Sequence, residues 1–181
     1  HKGIQDNMDT IYGIYKSTRI NRIPPVVNHS AVLSKTIDAS EFRGKKIKII
    51  TGIKIPFEDR DTNGELWVKT YGVNGEVSGY SETHFKVDKW KKYEAEINIH
   101  LDDLKIEYGV RLNNEGILFV NGFNLEVYSA GKWRTAELTD GRFEEQACGK
   151  SPQEWNIVSC DYIYEIIDFD TFDNDKACFI Q

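Results

Sequence analysis

Lys45-Lys-Ile-Lys-Ile-Ile-Thr-Gly-Ile-Lys-Ile55 decides the fold class. Ile47, Ile49, Ile53 and Ile55 share one parity, and Lys46, Lys48 and Lys54 take the other. A period of two is the signature of a strand with one apolar face and one wet face. Pro56 ends the run. The loop Asp59-Arg-Asp-Thr-Asn-Gly64 follows, and its Asn63-Gly64 pair predicts a hairpin turn.

The same alternation recurs on both sides. Ala31 to Ile37 reads as a short strand, and Glu65 to Tyr71 as another, with a turn at Asn74-Gly75. Trp90 to Ile99 puts Tyr93, Ala95, Ile97 and Ile99 inside and Glu94, Glu96 and Asn98 outside. Leu104 to Leu112 groups Ile106, Tyr108, Val110 and Leu112, and Gly116 to Val127 is a long strand expected to bulge at Gly122. No 12-residue window carries a 3.6-residue stripe. Regularly spaced strands with Gly, Asn and Asp turns predict an all-β chain folded as an antiparallel β-sandwich.

Composition narrows the function classes. The 181 residues hold 23 Lys and Arg against 29 Asp and Glu, a net charge of −6, which argues against a nucleic-acid partner. Apolar residues make up 40%, enough for a packed core. The best apolar run, Gly116-Ile-Leu-Phe-Val120, is strand-sized, far from the ~18 residues of a membrane-spanning helix. The single Met, at position 8, and a chain opening at His1 suggest a mature or trimmed fragment. Cys148, Cys160 and Cys178 crowd the last fifth, with no CxxC spacing, and read as small hydrophobes.

Phe42-Arg-Gly-Lys-Lys-Ile-Lys48, Gly64-Glu-Leu-Trp-Val68, Asp88-Lys-Trp-Lys-Lys-Tyr-Glu94 and Gly116-Ile-Leu-Phe-Val-Asn-Gly-Phe-Asn-Leu-Glu-Val127 come in that order. Together they resemble the strand signatures of the galactose-binding-like jelly roll, shared by many carbohydrate-binding modules. The variants they are most similar to are N-terminal accessory domains of secreted or envelope proteins of Bacteroides-type bacteria. Some of those precede tail-specific-type serine peptidase or erythromycin-esterase-like domains. The resemblance implies a secreted, periplasmic or cell-surface protein whose partners are glycans and other domains of its own polypeptide.

It also implies a division of the chain. Residues 1–129 resemble a jelly roll lacking its first strand, and 130–142 a connector. In residues 143–181, Phe143-Glu144, Trp155-Asn156 and Tyr162 to Asp168 resemble the opening strands of such a domain. They either begin a second unit or fold back to complete the first. The tail Asp170–Ile180 also echoes Asp9–Ile20, with Asp-Thr, Lys and Ile in common.

Candidate chemistry follows from strand parity. With Leu66, Val68 and Thr70 inward, Trp67, Lys69 and Tyr71 face outward, and the neighbouring strand presents Lys105, Glu107, Gly109 and Arg111. An aromatic face beside charged groups suits a sugar: the ring packs on pyranose C–H groups while charges bind hydroxyls. The expected carbohydrate-binding set is therefore Trp67, Lys69, Tyr71, Glu107 and Arg111, the competing reading being a bulge that turns Trp67 into the core. Oxygen-rich turns read as solvated turn acids or, alternatively, as ligands of a structural calcium ion. The resemblance points to Glu144 for it, with Asp168 and Asp170 as further ligands, and no other cofactor is expected. Glu94 and Glu96 share one face, but beside lysines they read as an ordinary wet surface. His1, His29, His84 and His100 lie in no nucleophile motif. The reading is a non-catalytic glycan-binding module, with a structural spacer or protein-interaction domain as the alternative and a jelly-roll hydrolase behind both.

Overall fold

The computed structural model describes residues 30–55, 62–114, 116–158, 162–168 and 176–181. Eleven strands are present among them: β1 (Ser30–Asp38), β2 (Lys46–Lys54), β3 (Asn63–Tyr71), β4 (Val77–Phe85), β5 (Lys91–Asn98), β6 (Lys105–Asn113), β7 (Leu118–Ser129), β8 (Lys132–Ala136), β9 (Asn156–Val158), β10 (Tyr164–Ile167) and β11 (Ala177–Ile180). One sheet runs β4-β3-β6-β1-β9; the other runs β10-β11-β7-β2-β5, with β8 also on β7. Every pairing is antiparallel. From β1 to β7 the chain crosses between sheets at each step except β3 to β4, the alternation of a jelly-roll sandwich.

Parity built this core. Ile47, Ile49 and Ile53 of β2 are fully buried, as are Leu66 and Val68 of β3 and Ile106, Tyr108, Val110 and Leu112 of β6. They press together with Ala95, Ile97 and Leu125 into one cluster between the sheets. Apolar surface removed from water at about 25 cal/mol per Å² drives this contact. The expected bulge sits where β7 meets β2: Thr51 pairs with Phe123 but Ile53 with Val120, so Asn121 and Gly122 oppose one residue. A Cβ on Gly122 would stand 2.3 Å from the Arg142 Cα, so the chain passing outside needs glycine there.

Three elements differ from the sequence reading. Asn63-Gly64 is not a hairpin turn; both residues already pair with Asn113 and Leu112 in β3, because β2 and β3 lie in different sheets. Strand β4 escapes detection because, as an edge, only Phe85 of its nine residues is buried and no apolar alternation is required. The segment read as a connector contains β8, joined to β7 through Ala130 and Gly131 at φ 51° and 78°. Two left-handed residues are the two-residue hairpin that twists with the strands, and alanine disguises it.

The described part of residues 143–181 lies on this same sandwich. Strand β9 pairs with β1 and β11 with β7, while Phe143, Trp155, Tyr164, Ile166, Cys178 and Ile180 enter the main core. Trp155 packs with Phe143, Phe123 and Tyr108 at ring separations of 5.0, 5.2 and 6.2 Å. Its indole N–H donates to Asp140, which also accepts from the Gln146 side chain and the Glu145 backbone. Burial pushes the Cys178 thiol up, and both Cys178 and the exposed Cys148 are free. The echo of Asp9–Ile20 falls on residues outside the described ones. Replacing Trp155 by Ala should lower stability by about 3–5 kcal/mol in urea unfolding followed by circular dichroism; an unchanged midpoint would mean that the tail is not docked.

Candidate functional site

The register of the first sheet turns five strands into rows on its outer face. One row reads His84, Glu65, Arg111, Val32, Val158 across β4, β3, β6, β1 and β9. The next reads Glu82, Trp67, Gly109, Ser34, Asn156, and then come Tyr80, Lys69, Glu107, Thr36. Tyr71 and Lys105 follow beside Val77 and Asp38. Trp67, Lys69, Tyr71, Glu107 and Arg111 therefore stand on one face, which their alternation with the buried Leu66, Val68 and Thr70 dictates.

Between these rows and β9 lies a groove of about 590 Å³ lined by Val32, Ser34, Trp67, Lys69, Glu107 and Arg111, with Trp155–Val158 as its wall. A second hollow of about 400 Å³, bordered by Thr36, Tyr71, Leu104 and Lys105, shares Glu107 with the first. Glycine at position 109 sets the floor: a Cβ there would lie 2.2 Å from the Leu33 carbonyl oxygen. Glu107 ties the hollows together. One carboxylate oxygen accepts the Ser34 hydroxyl at 3.0 Å, and the other accepts the Tyr71 hydroxyl at 2.6 Å. Arg111 pairs with Glu65, whose side chain is 7% exposed.

Trp67 departs from expectation in one respect. It stands on the outer face, yet it is only 2% exposed, and the Lys69 ammonium lies 4.4 Å from its ring centroid. It is thus no open stacking platform. Its size and the lid formed by Lys69 keep it from water, although its strand parity points it away from the core. Residues that sequence reasoning left out complete the site: Tyr80 from β4, 5.7 Å from the same ammonium, and Ser34, Trp155 and Asn156 on the far wall. The alternation of Ser34 and Thr36 with Leu33 and Ile37 was the available signal for β1; the pairing of β9 with β1 carried none.

Other candidates fall elsewhere. Glu94 and Glu96 lie on the outer face of the second sheet in ion pairs with Lys46 and Lys48. Trp90 packs on Phe119 at 6.3 Å in a small apolar cluster. Glu144 and Asp168 are exposed, the Glu144 carboxylate accepts the Arg142 backbone N–H, and Asp170 lies outside the described residues. Among the described residues, the clusters of His and carboxylate ligand atoms are Glu65, Glu82, His84 and His100, Asp102, Asp103; neither includes Glu144 or Asp168. No described helix is long and apolar enough to cross a membrane.

Comparison with known proteins adds little. No protein-family model matches the chain, and no curated protein does. A similar solved structure is the CBM22-1 xylan-binding domain of Xyn10C from Paenibacillus barcinonensis, with 13% sequence identity and a TM-score of 0.34. The match covers 52% of this chain and 64% of that domain, less than two thirds of its length. So small an overlap decides neither fold nor ligand. The fold rests on the strand pairing itself.

Burial first, then the hydrogen bond to Glu107, holds the Tyr71 hydroxyl in its neutral form and pushes its pKa up from 10.0 to about 12. A raised folded-state value adds stability that is complete below the unfolded value and is lost as pH climbs through the folded one. The stability advantage of the wild type over Tyr71→Phe should be constant below pH 10 and shrink toward pH 12, measured by chemical unfolding. A difference that does not vary with pH would remove the Tyr71–Glu107 bond from the site.

Proposed function

We propose that this chain is a non-catalytic glycan-binding β-sandwich, an accessory domain of a longer secreted or envelope protein. The observation that carries the reading is the groove on the outer face of the first sheet. Trp67, Lys69, Glu107 and Arg111 line it, and Tyr71 stands in the adjoining hollow. Its floor is rigid, since strands supply it, and its polar groups converge from β1, β3 and β6. A shallow concave site with a few fixed polar groups beside aromatic carbon suits a saccharide. Glu107, oriented from both sides by hydroxyls, is placed to accept from sugar hydroxyls, with Arg111 as a donor. The domain would hold its parent protein near a polysaccharide, the role that the jelly-roll resemblance implies.

A second reading has one observation in its favour. Trp67 is almost wholly covered, as expected of a spacer or protein-interaction domain without a small ligand. A broad glycan array separates the two. The glycan reading expects binding that weakens about tenfold or more in Glu107→Gln, the size of a charged hydrogen-bond partner, with the melting temperature checked in parallel. Failure of the unaltered protein to bind any immobilised glycan leaves the spacer reading in its place.

A further inference from the structure

The groove's internal hydrogen bonds leave an unequal remainder. The carboxylates of this face are already engaged: Glu107, which lines the groove, by Ser34 and Tyr71, and beside the groove Glu65 by Arg111 and Glu82 by the Tyr80 hydroxyl, with His84 Nε2 at 3.1 Å. Two donors are not. The Lys69 ammonium faces only aromatic rings, Trp67 at 4.4 Å and Tyr80 at 5.7 Å, with no carboxylate in ion-pair reach among the described residues. The buried Trp67 indole N–H has no acceptor among them either. Buried donors nearly always find a partner, so an unmatched one lining a groove marks a place for an acceptor.

A sugar hydroxyl both donates and accepts, whereas a carboxylate only accepts. A carboxylate also answers an ammonium with a charge-assisted bond, about twice as strong as a neutral one. Resting on the glycan-binding reading above, we propose that the ligand is an acidic glycan whose uronate carboxylate is taken by Lys69, with the Trp67 indole N–H as its second donor. The long stem of Lys69 allows the ammonium to leave the ring face, which uncovers the indole beneath it. Lys69 is then both lid and specificity determinant. Its neighbours explain why the cation is not spent internally: Glu107, its cross-strand partner, is turned toward Ser34 and Tyr71.

Calorimetric titration with three probes tests this: oligogalacturonate, the same oligomer with its carboxyl groups methyl-esterified, and neutral xylo-oligosaccharide, with polyglutamate as a charge control. The expected result is binding of oligogalacturonate alone, weakened about tenfold in Lys69→Met and reduced by added salt. Trp67→Phe, which keeps the ring and removes the N–H, should weaken it as well. Should Lys69→Met misfold by circular dichroism, the ester and salt arms on the unaltered protein still decide. Binding of the ester or the xylo-oligosaccharide as tightly as the acid would overturn the acidic class while sparing the glycan reading. Equal binding of polyglutamate would overturn it too, since charge alone would then suffice. If none of the three saccharides binds while the glycan array is positive, the acidic class is overturned; if the array is blank as well, the glycan reading itself has failed.

Discussion

The contact between two apolar sheet faces is the constraint on which everything else in this molecule depends. Ile47, Ile49 and Ile53 from one sheet meet Leu66, Val68, Val110 and Leu112 from the other, all sealed from water. A strand has only two sides, so the residues chosen for the core determine those left outside. Trp67, Lys69 and Tyr71 share a face with Glu107 and Arg111 for no reason of their own; their neighbours in sequence had to be buried.

On that outer face, polar groups organise one another. Glu107 is held by hydroxyls from strands on either side, and Arg111 by Glu65. Such a lattice gives the groove a fixed shape at little entropic cost, because each participating side chain is anchored on a paired strand. The same lattice uses up the local carboxylates and leaves an ammonium and an indole N–H without oxygen partners among the described residues. The donor excess is therefore a consequence of how the face is tied together. Lys48 offers a contrast on the opposite sheet, where Glu94, Glu96 and Glu126 surround its ammonium.

The far end of the chain plays a mechanical part. Strand β9 extends the first sheet beyond β1 and walls the groove, while β11 lies along β7 and Trp155 stacks into the core near Lys35. An edge strand left bare invites pairing with other chains. Here β1 and β7, each paired on one side by β6 and β2, take their second partners from residues that follow the sandwich in sequence. Site and core are thus joined through one segment, with Trp155 in contact with both.

Sequence alone determined the fold class and the sidedness of β2, β3, β5 and β6, because a period of two is a local property that survives wherever the strand is placed. It also assembled five residues on one outer face. It did not reveal β4, an edge strand free of apolar alternation, nor β8, whose turn runs through an alanine in a left-handed conformation. Only the tertiary structure decided that Trp67 is covered by Lys69 and that Trp155 to Val158 raise a wall beside it. The cover is a side-chain conformation that Lys69 takes two residues along the same strand, which alternation does not encode; the wall depends on which distant strands become neighbours, and a pairing between residues more than a hundred positions apart leaves no periodic trace in either segment.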